Sequence, residues 1–128
     1  MSENSIITLT RRIKLCRASS GVINTLAPVT HVAFGDGGVD SGGTPIAPQE
    51  SQTALINEIA RYPVGSIQYP SETAARYSAT IPKEDLADQF ISEAALIDSD
   101  GDAVAIKTMY AKQKDKGTAF TFEFDDEF

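Results

Sequence analysis

The stretch FISEAALIDSDGDAVAI (residues 90–106) decides the fold of this chain. Two apolar, β-prone runs flank a Ser-Asp-Gly tip, and Asp and Gly accept the positive φ that a tight hairpin turn requires. The same tip invites a calcium reading. Counted from Asp98, an EF-hand loop needs glycine at its sixth position and glutamate at its twelfth, but Ala103 and Met109 stand there. Weak calcium binding by exposed Asp98, Asp100 and Asp102 is the alternative to a plain hairpin. Within the first run, alternation places Glu93 with Ile91, Ala95 and Ile97. If that face is buried, the carboxylate needs a hydrogen-bond or arginine partner, and Arg61 and Arg76 are candidates. On an edge strand it would sit at the solvent rim instead.

Working outward, VTHVAF (29–34), VGSIQYP (64–70), ARYSATIP (75–82) and TAFTFEF (118–124) are further strand candidates between turn-forming residues. In the last, Phe120, Phe122 and Phe124 alternate with Thr121 and Glu123, a half-buried pattern. Helix signals fall in the N-terminal half. Thr10 is a candidate N-cap, Leu9, Ile13 and Cys16 share a stripe expected to face the core, and Gly21 offers a stop. Arg11, Arg12, Lys14 and Arg17 then fall on a solvated face. A second short helix is expected in SQTALINEIA (51–60), with Leu55, Ile56 and Ile59 inward, or an extended segment in part of it. The fold class is therefore α+β: an antiparallel sheet or sandwich of about five to six strands with one or two short helices, in a single domain over 1–128.

Composition narrows the function. Eighteen acidic against eleven basic residues leave a net charge of −7, which argues against general nucleic-acid binding. Cys16 stands alone, so no intramolecular disulfide or cysteine zinc site is available. No apolar stretch approaches the roughly 18 residues of a spanning helix, so no membrane partner is expected. The N-terminal charges follow the apolar residues, unlike a signal peptide. Charge is polarised along the chain, basic near residues 11–17 and acidic at Glu123, Asp125, Asp126 and Glu127.

The segment HVAFGDGGVDSGGTP (31–45) is the remaining place to look for chemistry. Gly35 and Gly37 open a G-x-G-x-x-G pattern, but Asp40 takes the third position and Pro45 and Pro48 bar a following helix. A P-loop needs a lysine that this segment lacks, and Asp36 and Asp40 would repel phosphate. A turn that ends a strand is the better reading. His31, the single histidine, has no nucleophile signature beside it and is read as structural. No enzyme, cofactor or metal is expected from these residues.

Five segments in order resemble the N-terminal domain of the phage tail-collar fibre protein family: LTRRIKLCRASSG (9–21), VAFGDGG (32–38), TPIAPQESQTALINEIARYPV (44–64), ATIPKED (79–85) and residues 90–106. Ala95 departs from the glycine usual in that family. The resemblance implies a structural part of a phage tail, baseplate or phage-derived contractile particle, made in the bacterial cytoplasm and placed in the virion tail or particle. It implies other tail or baseplate proteins as partners, homo-oligomerisation in a threefold or sixfold assembly, and no catalytic residues. The expected subunit contacts are the glycine loop (Gly35, Asp36, Gly37, Gly38, Asp40) and the phenylalanine strand (Phe120, Phe122, Phe124). A stand-alone β-domain binding calcium or a sugar through acidic loops is the alternative.

Overall fold

The computed structural model describes residues 4–128. In chain order the elements are β1 (Ser5–Ile7), α1 (Leu9–Ser19), β2 (Val29–Gly35), β3 (Glu58–Pro63), β4 (Ser66–Ser71), β5 (Ala74–Ile81), β6 (Phe90–Asp98), β7 (Ala103–Gln113) and β8 (Phe120–Glu127). They form a five-stranded sheet, β1-β7-β6-β2-β3, and a three-stranded sheet, β4-β5-β8. Every pairing is antiparallel. The architecture is the expected α+β class, with more strands than the alternation alone suggested.

The main core lies between the sheets, where Val32 and Phe34 of β2 and Ala94 and Leu96 of β6 meet Ala79 and Ile81 of β5 and Phe124 of β8. Phe122 sets its ring edge-on to Phe34 at 5.6 Å, which extends that core along β8. A smaller cluster of Ala33, Ala95, Ile97, Ala103 and Ile106 lies apart from it, and Leu55 of the long 36–57 loop joins that cluster. β6 is central in its sheet and is buried from Ile91 to Asp98, because both of its faces are covered.

Three local expectations are corrected. First, Ile91 does not share a face with Glu93. Ile91 pairs with Lys112 and Glu93 with Thr108, so the register breaks at Ser92 and Ile91 turns into the inter-sheet core. Second, residues 51–60 form no helix. They run as loop and then as β3, because the free edge of β2 pairs with the segment from Glu58 onward, while the amides of Ile56 and Asn57 are taken by Glu93.

The third correction concerns α1, which is turned over relative to its apolar stripe. Thr8, not Thr10, caps it: its extended backbone lets Oγ1 accept from the Arg11 amide (3.1 Å) while donating to the Ala103 carbonyl (2.6 Å). That anchor points Arg11 inward, where it is 6% exposed. Its Nη1 donates to the Ala27 carbonyl (2.6 Å) and lies 3.6 Å from Asp98. Leu9 and Ile13 are left 46% and 40% exposed, and Cys16 is exposed beside them. The inward face is instead Thr8, Arg11, Lys14, Leu15 and Ala18, also at helical spacing. Ser20 and Gly21 (φ +82°) end the helix as expected.

Candidate functional site

Glu93 organises the surface that the glycine-rich segment builds. Its carboxylate is fully buried and has no cationic partner among the described residues; Arg61 pairs with Glu58 (2.9 Å) and Arg76 with Asp125 (2.8 Å). Backbone amides serve in their place. Oε2 accepts from Gly37 (2.8 Å) and Asn57 (2.9 Å), and Oε1 accepts from Ile56 (2.8 Å). Three converging N–H dipoles form a small anion nest inside the protein. They tie both ends of the 36–57 loop to β6. The Asn57 side chain adds a bond to Asp36 (2.6 Å) across the same neck.

The glycines are required by this closeness, not by a ligand. A Cβ at Gly35 would strike the Asn57 carbonyl and the Glu93 carboxylate, and one at Gly38 would strike the Ser92 carbonyl. The Gly38 amide donates to Ser92 Oγ (2.9 Å), so the register break in β6 supplies a further anchor. Beyond the neck the loop is stiffened from within. Asp40 Oδ1 accepts from Gly42 (2.9 Å) and Thr44 (3.0 Å), and Thr108 Oγ1 donates to the Ile46 carbonyl (2.8 Å). The result is a braced loop whose longest unbroken exposed run on the glycine segment is 40–44, with Asp36, Ile46 and Ile56 among its other exposed residues.

The Asp98–Asp102 tip is a hairpin turn. Gly101 takes φ +86°, and Asp98 Oδ1 accepts from the amides of Asp100 (3.0 Å) and Asp102 (3.1 Å). Carboxylate oxygens of Asp98, Asp100 and Asp102 converge as a cation would require. The Lys14 ammonium sits at that point of convergence, 2.7, 3.0 and 2.8 Å from them. Burial opposes its charge, but hydrogen bonds to Asp102, Asp98 and Asp100 outweigh that and raise its pKa above the ordinary lysine value. Sequence reasoning placed Lys14 on the solvated face and missed this bridge. The inward spacing of Arg11 and Lys14 relative to Thr8 was the available signal.

β8 pairs with β5 and has no second neighbour among the described residues, which leaves that edge of the small sheet unpaired there. Phe124 is 2% exposed and belongs to the protomer's own core. Phe120 and Phe122 are half-buried, with the ammonium groups of Lys112 and Lys107 lying 4.8 and 6.0 Å from their ring centroids. On the outward side, Arg76 holds Asp125 in a two-pronged pair (2.8 and 3.2 Å) and approaches Glu123 (3.7 Å). That hydrogen-bonded pair keeps the Asp125 carboxyl below its usual range. A polar cleft lined by Arg76, Lys107, Glu123 and Asp125 follows this edge.

Asp126, next along β8, is buried, and one of its carboxylate oxygens has no hydrogen-bond partner. Burial raises its pKa, and the Arg11 charge partly counters that. His31 contacts the Thr30 hydroxyl (2.9 Å) and is half-buried in β2. No described helix is long and apolar enough to cross a membrane.

What these features share is service to rigidity and surface shape. The two acidic groupings are closed by the chain's own cations, and the glycine segment folds around an internal carboxylate. Comparison with known sequences agrees in kind. No curated protein matches the chain. The family model described as phage tail-collar fibre protein, N-terminal, matches residues 1–122 of the 128, and the chain therefore belongs to the phage tail-collar fibre family.

Proposed function

We propose that this chain is an attachment or adaptor domain of the tail-fibre type, acting by shape-complementary docking to other tail or baseplate proteins. The observation that carries the reading is the match of the tail-collar fibre family along nearly the whole chain. The geometry supports it: a rigid sandwich presents a stiff loop at one place and an open sheet edge at another. Such edges accept a further strand through main-chain hydrogen bonds. Asp36 and Asp40 are the exposed contacts on the glycine loop, with Gly35, Gly37 and Gly38 shaping it from behind. On β8, Phe120 and Phe122 sit half-buried on the core side of the edge strand, and Phe124 fixes its seat. A homo-oligomer in a threefold or sixfold assembly is part of this proposal and rests on the family resemblance.

The acidic-loop ligand reading has no comparable support, because Lys14 already takes the place a calcium ion would occupy. Mass spectrometry of purified tail particles, from cells expressing the tagged full chain, tests the proposal. Stoichiometric recovery of the chain with tail components is the expected result. A chain that stays in the soluble fraction and is absent from particles refutes it.

A further inference from the structure

The inverted helix α1 carries an inference about a partner. Leu9, Ile13 and Cys16 follow one another at spacings of four and three, the seam of a helix that packs against another helix. All three point outward, while Arg11 and Lys14, which solvent would have accepted, are turned inward. The inward side is fixed by the Thr8 anchor and by the three aspartates, so the helix cannot roll over to hide the stripe. An apolar seam locked facing outward is a docking face.

Charge selects what covers it. Arg12 and Arg17 flank the seam on its two sides and are exposed. Packing α1 on a second copy of itself in parallel would set Arg12 of one helix against Arg17 of the other. The antiparallel arrangement would set each arginine against its own equivalent. Both place like charges across the seam, which disfavours pairing. Arg12 has a rim pair with Glu50 (3.1 Å), whereas the Arg17 guanidinium has no ion pair among the described residues. We infer that the Leu9–Ile13–Cys16 face of α1 docks an amphipathic helix of a different tail protein, one whose apolar stripe is flanked by Asp or Glu. This rests on the proposed tail role and names the chemistry of one partner.

Cys16 is the single cysteine of the chain and stands in the seam, so it reports directly on the contact. Maleimide labelling is compared between the isolated full chain and the same chain within purified particles. Rapid labelling of the isolated chain, slowed by about tenfold or more in particles, is expected for a seam from which neighbours exclude water. A short maleimide–diazirine cross-linker placed at Cys16 should then join the chain, on irradiation, to an acidic helical segment of another tail protein. Ile13→Glu, at an already exposed position, should leave the circular dichroism unchanged and abolish incorporation or cross-linking. A chain present in particles but labelled at the isolated rate overturns the inference and leaves the tail role intact. A cross-link to a second copy of this chain, or to a segment flanked by Lys and Arg, overturns it too. Absence of the chain from particles overturns the tail role, and this inference with it.

Discussion

Replacing Glu93 by alanine removes one acceptor from three backbone amides at once, those of Gly37, Ile56 and Asn57. Hydrogen bonds to a charged group each contribute about 1.5–3 kcal/mol. The variant also escapes the cost of holding an anion in the interior, and water can reach part of the space vacated, so the three contributions do not simply accumulate. A net loss of about 3–5 kcal/mol follows, a large share of the roughly 5–15 kcal/mol by which a domain of this kind is stable. Glu93→Gln separates the bonds. Oε2 serves two amides and Oε1 serves Ile56 alone. A glutamine that keeps its oxygen on the two-amide side turns its NH2 against the Ile56 N–H. Its cost should be smaller, about 2 kcal/mol.

Urea denaturation of the isolated chain measures both losses, provided the slope with denaturant stays that of the parent. Native-state hydrogen exchange adds position. In Glu93→Ala all three amides should exchange faster, while in Glu93→Gln the Ile56 amide should be the most affected. The reasoning fails if Glu93→Ala lies within about 1 kcal/mol of the parent, or if the exchange of those amides is unchanged.

Three further substitutions carry expected outcomes. Gly38→Ala drives a methyl group into the Ser92 carbonyl and should cost about 2 kcal/mol or more, seen as a lower Tm; an unchanged Tm would contradict the packed-loop description. Lys14→Ala should cost about 2–3 kcal/mol by leaving buried Asp98 without its ammonium. The raised lysine pKa means that this gap holds through neutral pH and closes only as pH climbs past the ordinary lysine range. Calcium calorimetry should be silent for the parent and give heat for Lys14→Ala; binding by the parent would show that Lys14 does not fill the site. Asp126 binds its proton more tightly folded than unfolded, so its contribution to stability falls as pH rises through its elevated pKa. Asp126→Asn should therefore gain on the parent as pH rises from the ordinary aspartate range through the elevated pKa, and parallel stability curves would refute the assignment.

The hairpin of β6 and β7, the run of β2 and the alternating phenylalanines of β8 were legible in the sequence, since period and turn residues act locally. The turnover of α1 was not. Leu9-Ile13-Cys16 and Arg11-Lys14-Leu15-Ala18 are both valid helical stripes, and the choice falls to Asp98 and to the Ala103 carbonyl, distant along the chain. Residues 51–60 misled for a similar reason: a weak helical stripe lost to the open edge of β2 and to the amide demand of Glu93. For Glu93 the sequence leaves two readings, a solvent-rim position or burial with a hydrogen-bond or arginine partner, and the only partners it can name are Arg61 and Arg76. Backbone amides carry no letter in a sequence. The glycines at 35, 37 and 38 were the legible trace of that nest, because they mark where the backbone comes close to β6.

The anchoring of α1 also orders events during synthesis. Thr8 is fastened to Ala103, 95 positions away, and β1 waits for Ala105, Ile106 and Lys107 of β7. A nascent chain leaves the ribosome N-terminus first, at about 5–20 residues per second, so this segment spends seconds without the surface it belongs to. An eleven-residue helix is marginal on its own in water. Only when the β6–β7 hairpin has formed does α1 acquire a fixed orientation, with Leu9 and Ile13 held outward. An interrupted or half-folded chain has no such helix to offer, and so the outward seam marks a finished protomer to whatever assembles with it.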